Sequence, residues 1–423
     1  MQDIDDNSAK IRFNFLNNIY KPNSQVLRFM GIIILSGMAF GLYRGIQDNY
    51  LADIIHITPR ERGIVEFFRE LPGLLVVFIL ALMHRFSARK IFKISTAIML
   101  GGMAGLLLTS MVSFFQVKFI VVIFTVVFSA GEHIIMPVRT TISLELAKRD
   151  MAGASLGLVS SITNIGSILG FIIVTLLFFV LGNIGFGRFD TFGFRIIFGL
   201  SFALMTASTL TVLSLKDSQA KTEMKRFYFH KKFNKYYMLE VFYGARKQIF
   251  LTFAPYVLIL EYNSDPSIMS LLYTICAAFG ILCAPMIGKI IDRLGYKVVM
   301  VGDTIILIVV CLLYGFAHRI FPVNIAFIVV CVNFVLDSII SMGHMASNIY
   351  VQRISASQEE ITATLSTGVS VNHLISILIA LLGGIIWERT GIEVLFSLSA
   401  FLGLLNSFYA MTIKKSEELP QNG

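Results

Sequence analysis

The stretch GKIIDRLGYK, residues 288–297, decides the fold. It is a short charged turn between two apolar runs, at about 267–290 and 297–317. Gly288 is expected to permit close helix approach and Gly295 to turn the chain, while Asp292 suits the positive N-terminal end of a neighbouring helix. The pattern has an earlier copy: HRFSARK from His84 aligns with DRLGYK from Asp292, at an offset of 208. A second pair, SITNIGSIL from Ser161 and SVNHLISIL from Ser370, lies at an offset of 209. Two independent matches at nearly one offset predict a duplicated unit.

Outward from the turn, composition identifies the solvent. Of 423 residues, 56% are hydrophobic and 14% charged, and the mean hydropathy is +0.77. Soluble domains carry roughly 25% charged residues, so a water-soluble globular fold is excluded. The 37 Phe and 32 Gly agree, because membrane helices tolerate glycine better than soluble ones. A crossing helix needs about 20 apolar residues. Reading such runs gives twelve spans, at about 27–51, 62–84, 91–112, 117–146, 153–181, 192–215, 236–260, 267–290, 297–317, 321–351, 361–387 and 392–413.

The expected fold is an all-α membrane protein, with 12 transmembrane helices in two pseudo-symmetric six-helix bundles. Residues 1–215 form one bundle and 236–423 the other, joined by a basic linker at 216–235. No separate soluble domain fits. Cys276, Cys283, Cys311 and Cys331 all lie inside apolar runs, which argues against a disulfide framework or a metal site. The polar start, MQDIDDNSAKIRFNF, is unlike a cleavable signal, so the first span is expected to stay in the mature protein. No Asn-x-Ser/Thr sequon occurs, which points to a bacterial cytoplasmic membrane.

The formal charge of +9 reads as topology. With the N-terminus inside, cytoplasmic segments hold 23 of the 35 basic residues: Lys10, Arg12, Lys21, Arg28, Arg85, Arg89, Lys90, Lys93, Lys148, Arg149, Lys216, Lys221, Lys225, Arg226, Lys231, Lys232, Lys235, Lys289, Arg293, Lys297, Arg353, Lys414 and Lys415. The other side holds seven: Arg60, Arg62, Lys118, Arg188, Arg195, Arg319 and Arg389. The positive-inside rule therefore puts both termini in the cytoplasm. Nucleic acid is not an expected partner, because the basic residues follow topology and not a binding surface. Within 216–235, binding of lipid head groups is the alternative to a purely topological role.

The turn resembles the GxxxDRxGxR/K loop of the major facilitator superfamily, and the resemblance extends over essentially the whole chain. Gly288, Asp292, Arg293, Gly295 and Lys297 match that motif. The resemblance implies that these residues lock a cytoplasmic gate, with the start of the fifth helix near Ala152 as partner. The first-half copy departs from it: Leu80, His84 and Ser87 replace the two glycines and the aspartate, while Arg85 and Arg89 remain. Gly131-Glu132, Pro137 and Arg139, followed by a glycine-rich fifth helix, are further family-like features. The family architecture implies that helices 1, 4, 7 and 10 line a central cavity.

Charges inside the hydrocarbon are unfavourable by about 2.5–3.5 kcal/mol each on insertion scales, so they are tolerated where they pair or face a cavity. Helix 1 carries Arg44 and Asp48, helix 4 carries Glu132, His133 and Arg139, helix 7 carries Arg246 and Lys247, and helix 10 carries Asp337 and His344. Helix 2 adds Glu66, Arg69 and Glu70, and helix 11 adds His373 beside Asn372. Spacing of three and four puts Arg44 with Asp48, and Glu66 with Arg69 and Glu70, on common faces. These five are expected to form one network near the outer mouth, as a helix clamp or as substrate contacts.

Candidate substrate-binding residues are Arg44, Asp48, Arg69, Arg139, Arg246, Lys247, Asn333 and Asn372: the cations because guanidinium and ammonium groups hold carboxylate or phosphate, Asp48 as the partner of Arg44 on helix 1, and the asparagines as neutral hydrogen-bonding groups. Arg139 and Arg246 alternatively neutralise Glu132 and Asp337, since buried charges must pair. Glu132, Asp337 and His373 are the proton-coupling candidates. The pairs Phe67–Phe68, Phe114–Phe115 and Phe178–Phe179 read as packing or lipid-facing groups, and Trp387 as an interfacial anchor.

The expected function is secondary active transport of a small anionic or zwitterionic solute, by symport or antiport, with H⁺ or Na⁺ as the coupling ion. A proton-driven exporter or flippase of amphipathic lipids or drugs is the alternative. No P-loop and no HExxH cluster occurs, and no loop or tail would hold an effector domain, so ATP use, enzyme activity and signalling are not expected. Neither cofactor nor metal is expected, and the protein is expected to be a monomer in the lipid bilayer.

Overall fold

The computed structural model describes residues 16–21, 23–111, 117–148, 150–187, 189–217 and 228–414. Lys10, Arg12, Phe114, Phe115, Arg149, Arg188, Lys221, Lys225, Arg226 and Lys415, named above, lie outside these residues, as does part of the linker. Among the described residues the chain is carried by twelve long helices. They are α1 (Ser24–Asn49), α2 (Pro59–Leu82), α3 (Ala88–Met111), α4 (Val117–Leu146), α5 (Ala152–Asn183), α6 (Thr191–Leu213), α7 (Asn234–Leu260), α8 (Pro266–Leu294), α9 (Tyr296–Ile320), α10 (Val323–Ile354), α11 (Gln358–Thr390) and α12 (Ile392–Met411).

Ten of these helices are long and apolar enough to cross a membrane. The two others are α2 and α7, the helices with the densest charge: six charged residues fall between Arg60 and Glu70 alone. A single π turn, Tyr50–Ile54, extends α1.

Local chemistry sets the helix ends. Asp265 caps α8, its Oδ1 accepting from the Ile268 amide at 3.0 Å, with Pro266 at the first helical position. Ser357 caps α11 by accepting from the Glu360 amide at 3.2 Å, and the Glu360 carboxylate accepts in turn from the Ala356 amide just before the cap. Between α8 and α9, Gly295 has φ +86° and ψ 149°, a region open essentially to glycine, so the expected turn does require that residue. Gly288 is different: a Cβ there would meet nothing within 4 Å, so in this structure it is not at a close approach.

The contacts group the chain into two units. The first comprises the described residues of 1–44, 76–173 and 194–224. Within it α1 and α5 touch backbone to backbone, since a Cβ on Gly41 would stand 2.2 Å from the Ser167 carbonyl oxygen. The Ser167 hydroxyl donates to the Gly37 carbonyl at 3.3 Å. Arg89 donates to Glu145 at 2.8 Å and to the Lys216 carbonyl at 2.5 Å, closing the C-terminal end of α6.

The second unit comprises the described residues of 45–75, 174–193 and 225–423. Lys297 there does what Arg89 does in the first, donating to the Met411 and Ile413 carbonyls at 2.7 Å and closing the end of α12. These two cations occupy matching places in the sequence repeat. Beside Lys297 lies a core of Phe233, Tyr236, Leu239, Ile291, Tyr296 and Tyr350. Trp387, in the last turn of α11, is only 8% exposed and meets Phe253 edge-on at 5.9 Å, so it packs among core aromatics.

Candidate functional site

Two clusters of charged residues in the second unit join several of its helices. The first joins the end of α1 and the start of α2 to α7, α8 and α11. Arg62 is fully buried and donates to Asp48 Oδ1 at 3.0 Å and to Glu66 Oε2 at 2.8 Å, with its guanidinium 5.5 Å from the Tyr256 ring centroid. Arg69 binds Glu66 in a fork, at 2.8 and 2.6 Å, and also donates to Glu70. His373 Nδ1 on α11 lies 2.8 Å from Glu70 Oε2.

Neighbouring helices complete this ladder. The Tyr273 hydroxyl on α8 donates to Asp48 at 2.7 Å, and the Gln248 amide on α7 donates to Glu66 at 3.1 Å. The Asn49 amide donates to the Ser264 carbonyl at 2.9 Å. The i, i+4 and i, i+3 spacing on α2 is what aligns Arg62, Glu66, Arg69 and Glu70. Four of the five residues expected to form one network, Asp48, Glu66, Arg69 and Glu70, therefore meet in this unit. Arg44 lies half-buried in the first unit. Arg62, read from the sequence as a loop charge, is the link between Asp48 and Glu66.

The second cluster joins α7 to α10. Arg246 donates to Asp337 at 2.9 Å and reaches the Ser341 hydroxyl at 3.4 Å. The Tyr243 hydroxyl donates to the Ser341 carbonyl at 3.2 Å, and its ring stacks on His344 with centroids 3.7 Å apart and planes 7° from parallel. His344 Nε2 lies 3.0 Å from Glu240, and Asn372 on α11 donates to the same carboxylate at 3.3 Å. Sequence reading missed Glu240. Its position three and seven residues before Tyr243 and Lys247, on one stripe of α7, is the signal that could have found it.

Lys247 is half-buried, with its ammonium 6.0 Å from the Tyr243 ring centroid, and among the described residues no carboxylate lies within 4.0 Å of it. Asn333 is buried and donates to the Val329 carbonyl of its own helix at 2.7 Å. Of the turn residues, Asp292, Arg293 and Gly295 are exposed.

In the first unit, Arg139 is half-buried on α4 and donates to the Thr163 hydroxyl on α5 at 3.3 Å. Glu132, two turns before it, acts on Arg139 through space, yet among the described residues no carboxylate is within 4.0 Å of that guanidinium either. His133 turns back on α4, with Nδ1 2.9 Å from the Ser129 carbonyl.

Ten long apolar helices, with charges paired between helices, define a polytopic helical membrane protein. Solved structures with a similar fold include transporters. The nucleoside transporter NupG is 16% identical with a TM-score of 0.71, covering 93% of this chain and 100% of its own. The E. coli xylose transporter XylE is 13% identical with a TM-score of 0.71, covering 94% and 97%. A bacterial homolog of the human lysosomal transporter Spinster is 13% identical with a TM-score of 0.65, covering 95% and 99%. The sequence profile of the Major Facilitator Superfamily matches residues 29–235 and 236–423, and the chain belongs to that family. It is an integral membrane transporter and not an enzyme. No curated protein matches it significantly in sequence.

Proposed function

We propose that this protein is a secondary active transporter that moves a small anionic or zwitterionic organic solute by alternating access, driven by protons. One contrast in charge pairing carries the reading. Arg62, Arg69 and Arg246 each lie within 3.0 Å of a carboxylate, whereas Arg139 and Lys247, one in each unit, have none within 4.0 Å among the described residues. A half-buried cation that no carboxylate contacts is poorly compensated, and the acid group of a solute supplies that contact. Arg139 and Lys247 are then candidate contacts for such an acid group, each within its own unit, with Asn372 as a neutral donor.

Glu70 with His373, together with Glu132 and Asp337, are the proton-coupling groups in this reading. The ladder from Asp48 to Glu70 is a clamp on the outer face that a change of access has to break. Residues 1–215 and 236–423 are the two moving bundles, with 216–235 as their linker. The motif residues Gly288, Asp292, Arg293 and Gly295 serve the cytoplasmic gate, and Lys297 fixes α12 beside it. The protein resides as a monomer in a bacterial cytoplasmic membrane, with both termini in the cytoplasm.

The test begins with a panel of metabolites and lipids scored by thermal stabilisation of the purified protein. The stabilising compound is then followed in proteoliposomes. Arg139→Gln and Lys247→Gln are each expected to lower its flux about tenfold, the loss of about 1.4 kcal/mol of binding. Near-normal flux in both variants would sink the anion reading. A second reading, export or flipping of an amphipathic lipid or drug, draws on the pairing of Arg62, Arg69 and Arg246, which leaves few charges for a polar solute. It predicts stabilisation by lipids and indifference to both substitutions. Repeating the flux under a Na⁺ gradient separates the two coupling ions.

A further inference from the structure

We infer that Glu240 and His344 form a second proton-binding site, separate from Glu70 and His373, whose protonation fastens a helical break in α10 to α7. The inference rests on the proton-coupled reading above and adds a site to it. α10 has no proline, yet Ser341–His344, which contains Gly343, is a 3₁₀ segment between the α-helices Val323–Ile340 and Met345–Ile354. A 3₁₀ stretch inside a longer helix has poorer hydrogen bonds and marks a place where the helix is held or bent.

Here it is held from α7. Arg246, Tyr243 and Glu240, three residues apart on one stripe, engage Asp337, Ser341 and His344 in antiparallel order. Two of these three grips contain no imidazole: an arginine–aspartate pair, and a tyrosine hydroxyl on a carbonyl. The third does, and imidazole is the side chain whose charge changes most readily near neutral pH.

The surroundings make that proton matter. Glu240 is 2% exposed, and His344 is the basic group within ion-pair distance of it among the described residues. The other groups facing the pair come from every adjoining helix. Tyr236 on α7 hydrogen-bonds Glu240, Lys247 acts on Glu240 from the same helix through space, and the Asp303 carboxylate on α9 acts on His344. Asp303 on α9 lies against Gly343, Asn372 on α11 donates to Glu240, and Ser347 on α10 is 3.3 Å from His344 Nδ1. A neutral imidazole leaves a buried carboxylate without its nearest cation, which burial penalises. A proton taken from water by the imidazole restores the pair. The His344 side chain is 23% exposed, which gives water access to it. Protonation thus favours the fastened break, and its loss frees Met345–Ile354 from α7.

The experiment is hydrogen exchange on the full-length protein in lipid nanodiscs between pH 6 and 8, with rates corrected for the intrinsic pH dependence of amide exchange. In the wild type, opening of 341–354 is expected to rise with pH, by up to about tenfold per unit for one linked proton. His344→Gln and Glu240→Gln should each flatten that slope, while His373→Gln keeps it. A slope that persists in both variants, or is missing from the wild type, overturns the site. If His344→Gln does not fold, Glu240→Gln decides alone. Because no solute or gradient is involved, a failed slope refutes this site without touching the transport reading.

Discussion

Arg62 concentrates the chemistry of the second unit in one side chain. It is wholly buried between two carboxylates and a tyrosine ring, so removing it leaves Asp48 and Glu66 with a charge they cannot solvate. Arg62→Met should destabilise the protein by about 3–5 kcal/mol, the usual loss when one member of a buried pair is deleted. Unfolding in detergent measures it, and a loss under about 1 kcal/mol, the size of a surface pair, would contradict the ladder's role. Lys247→Gln should behave oppositely: its melting temperature is expected to hold or rise, since it removes a half-buried charge that no carboxylate contacts. The acids of the ladder were legible in the sequence, because Glu66, Arg69 and Glu70 share a helical stripe. Arg62 was not, since a count of charges at segment ends assigns it to a loop. Glu240 was not, because its partners His344 and Asn372 arrive from α10 and α11, and no local spacing announces them.

At the scale of elements, the turn at 288–297 separates two glycines that sequence reading treats alike. Gly295→Ala forces a side chain into a backbone region reserved for glycine and should lower stability by about 1–3 kcal/mol. Gly288→Ala meets open space within a helix and should be neutral or slightly stabilising. Equal effects in denaturant titrations of the two variants would refute this distinction. Helix positions were readable nearly throughout: the apolar run at 117–146 is α4 (Val117–Leu146), and the other spans agree to within a few residues. The break in α10 was not read from the sequence, although Gly343 and the more polar stretch from Ser341 to Asn348 mark it; the side chains that hold it belong to α7.

For the whole molecule, two divisions of the chain coexist. The sequence repeat pairs Arg89 with Lys297 and splits the chain near 216–235, as duplication would leave it. Packing instead puts residues 45–75 in one unit with the C-terminal helices, held by the ladder from Asp48 to His373. Composition and the repeat suggest the first division, whereas the second depends on buried contacts between residues far apart in the chain, such as Gln248 with Glu66, 182 positions away, and His373 with Glu70, 303 away. In the proposed cycle this ladder forms and breaks as access alternates, and the proton passes through its Glu70–His373 end. The most direct test of that account is flux of the stabilising solute in proteoliposomes carrying the full-length protein, with and without an imposed pH gradient. The account predicts accumulation against the solute's own gradient, abolished by a protonophore and by Glu70→Gln. Accumulation that survives collapse of the pH gradient would contradict it.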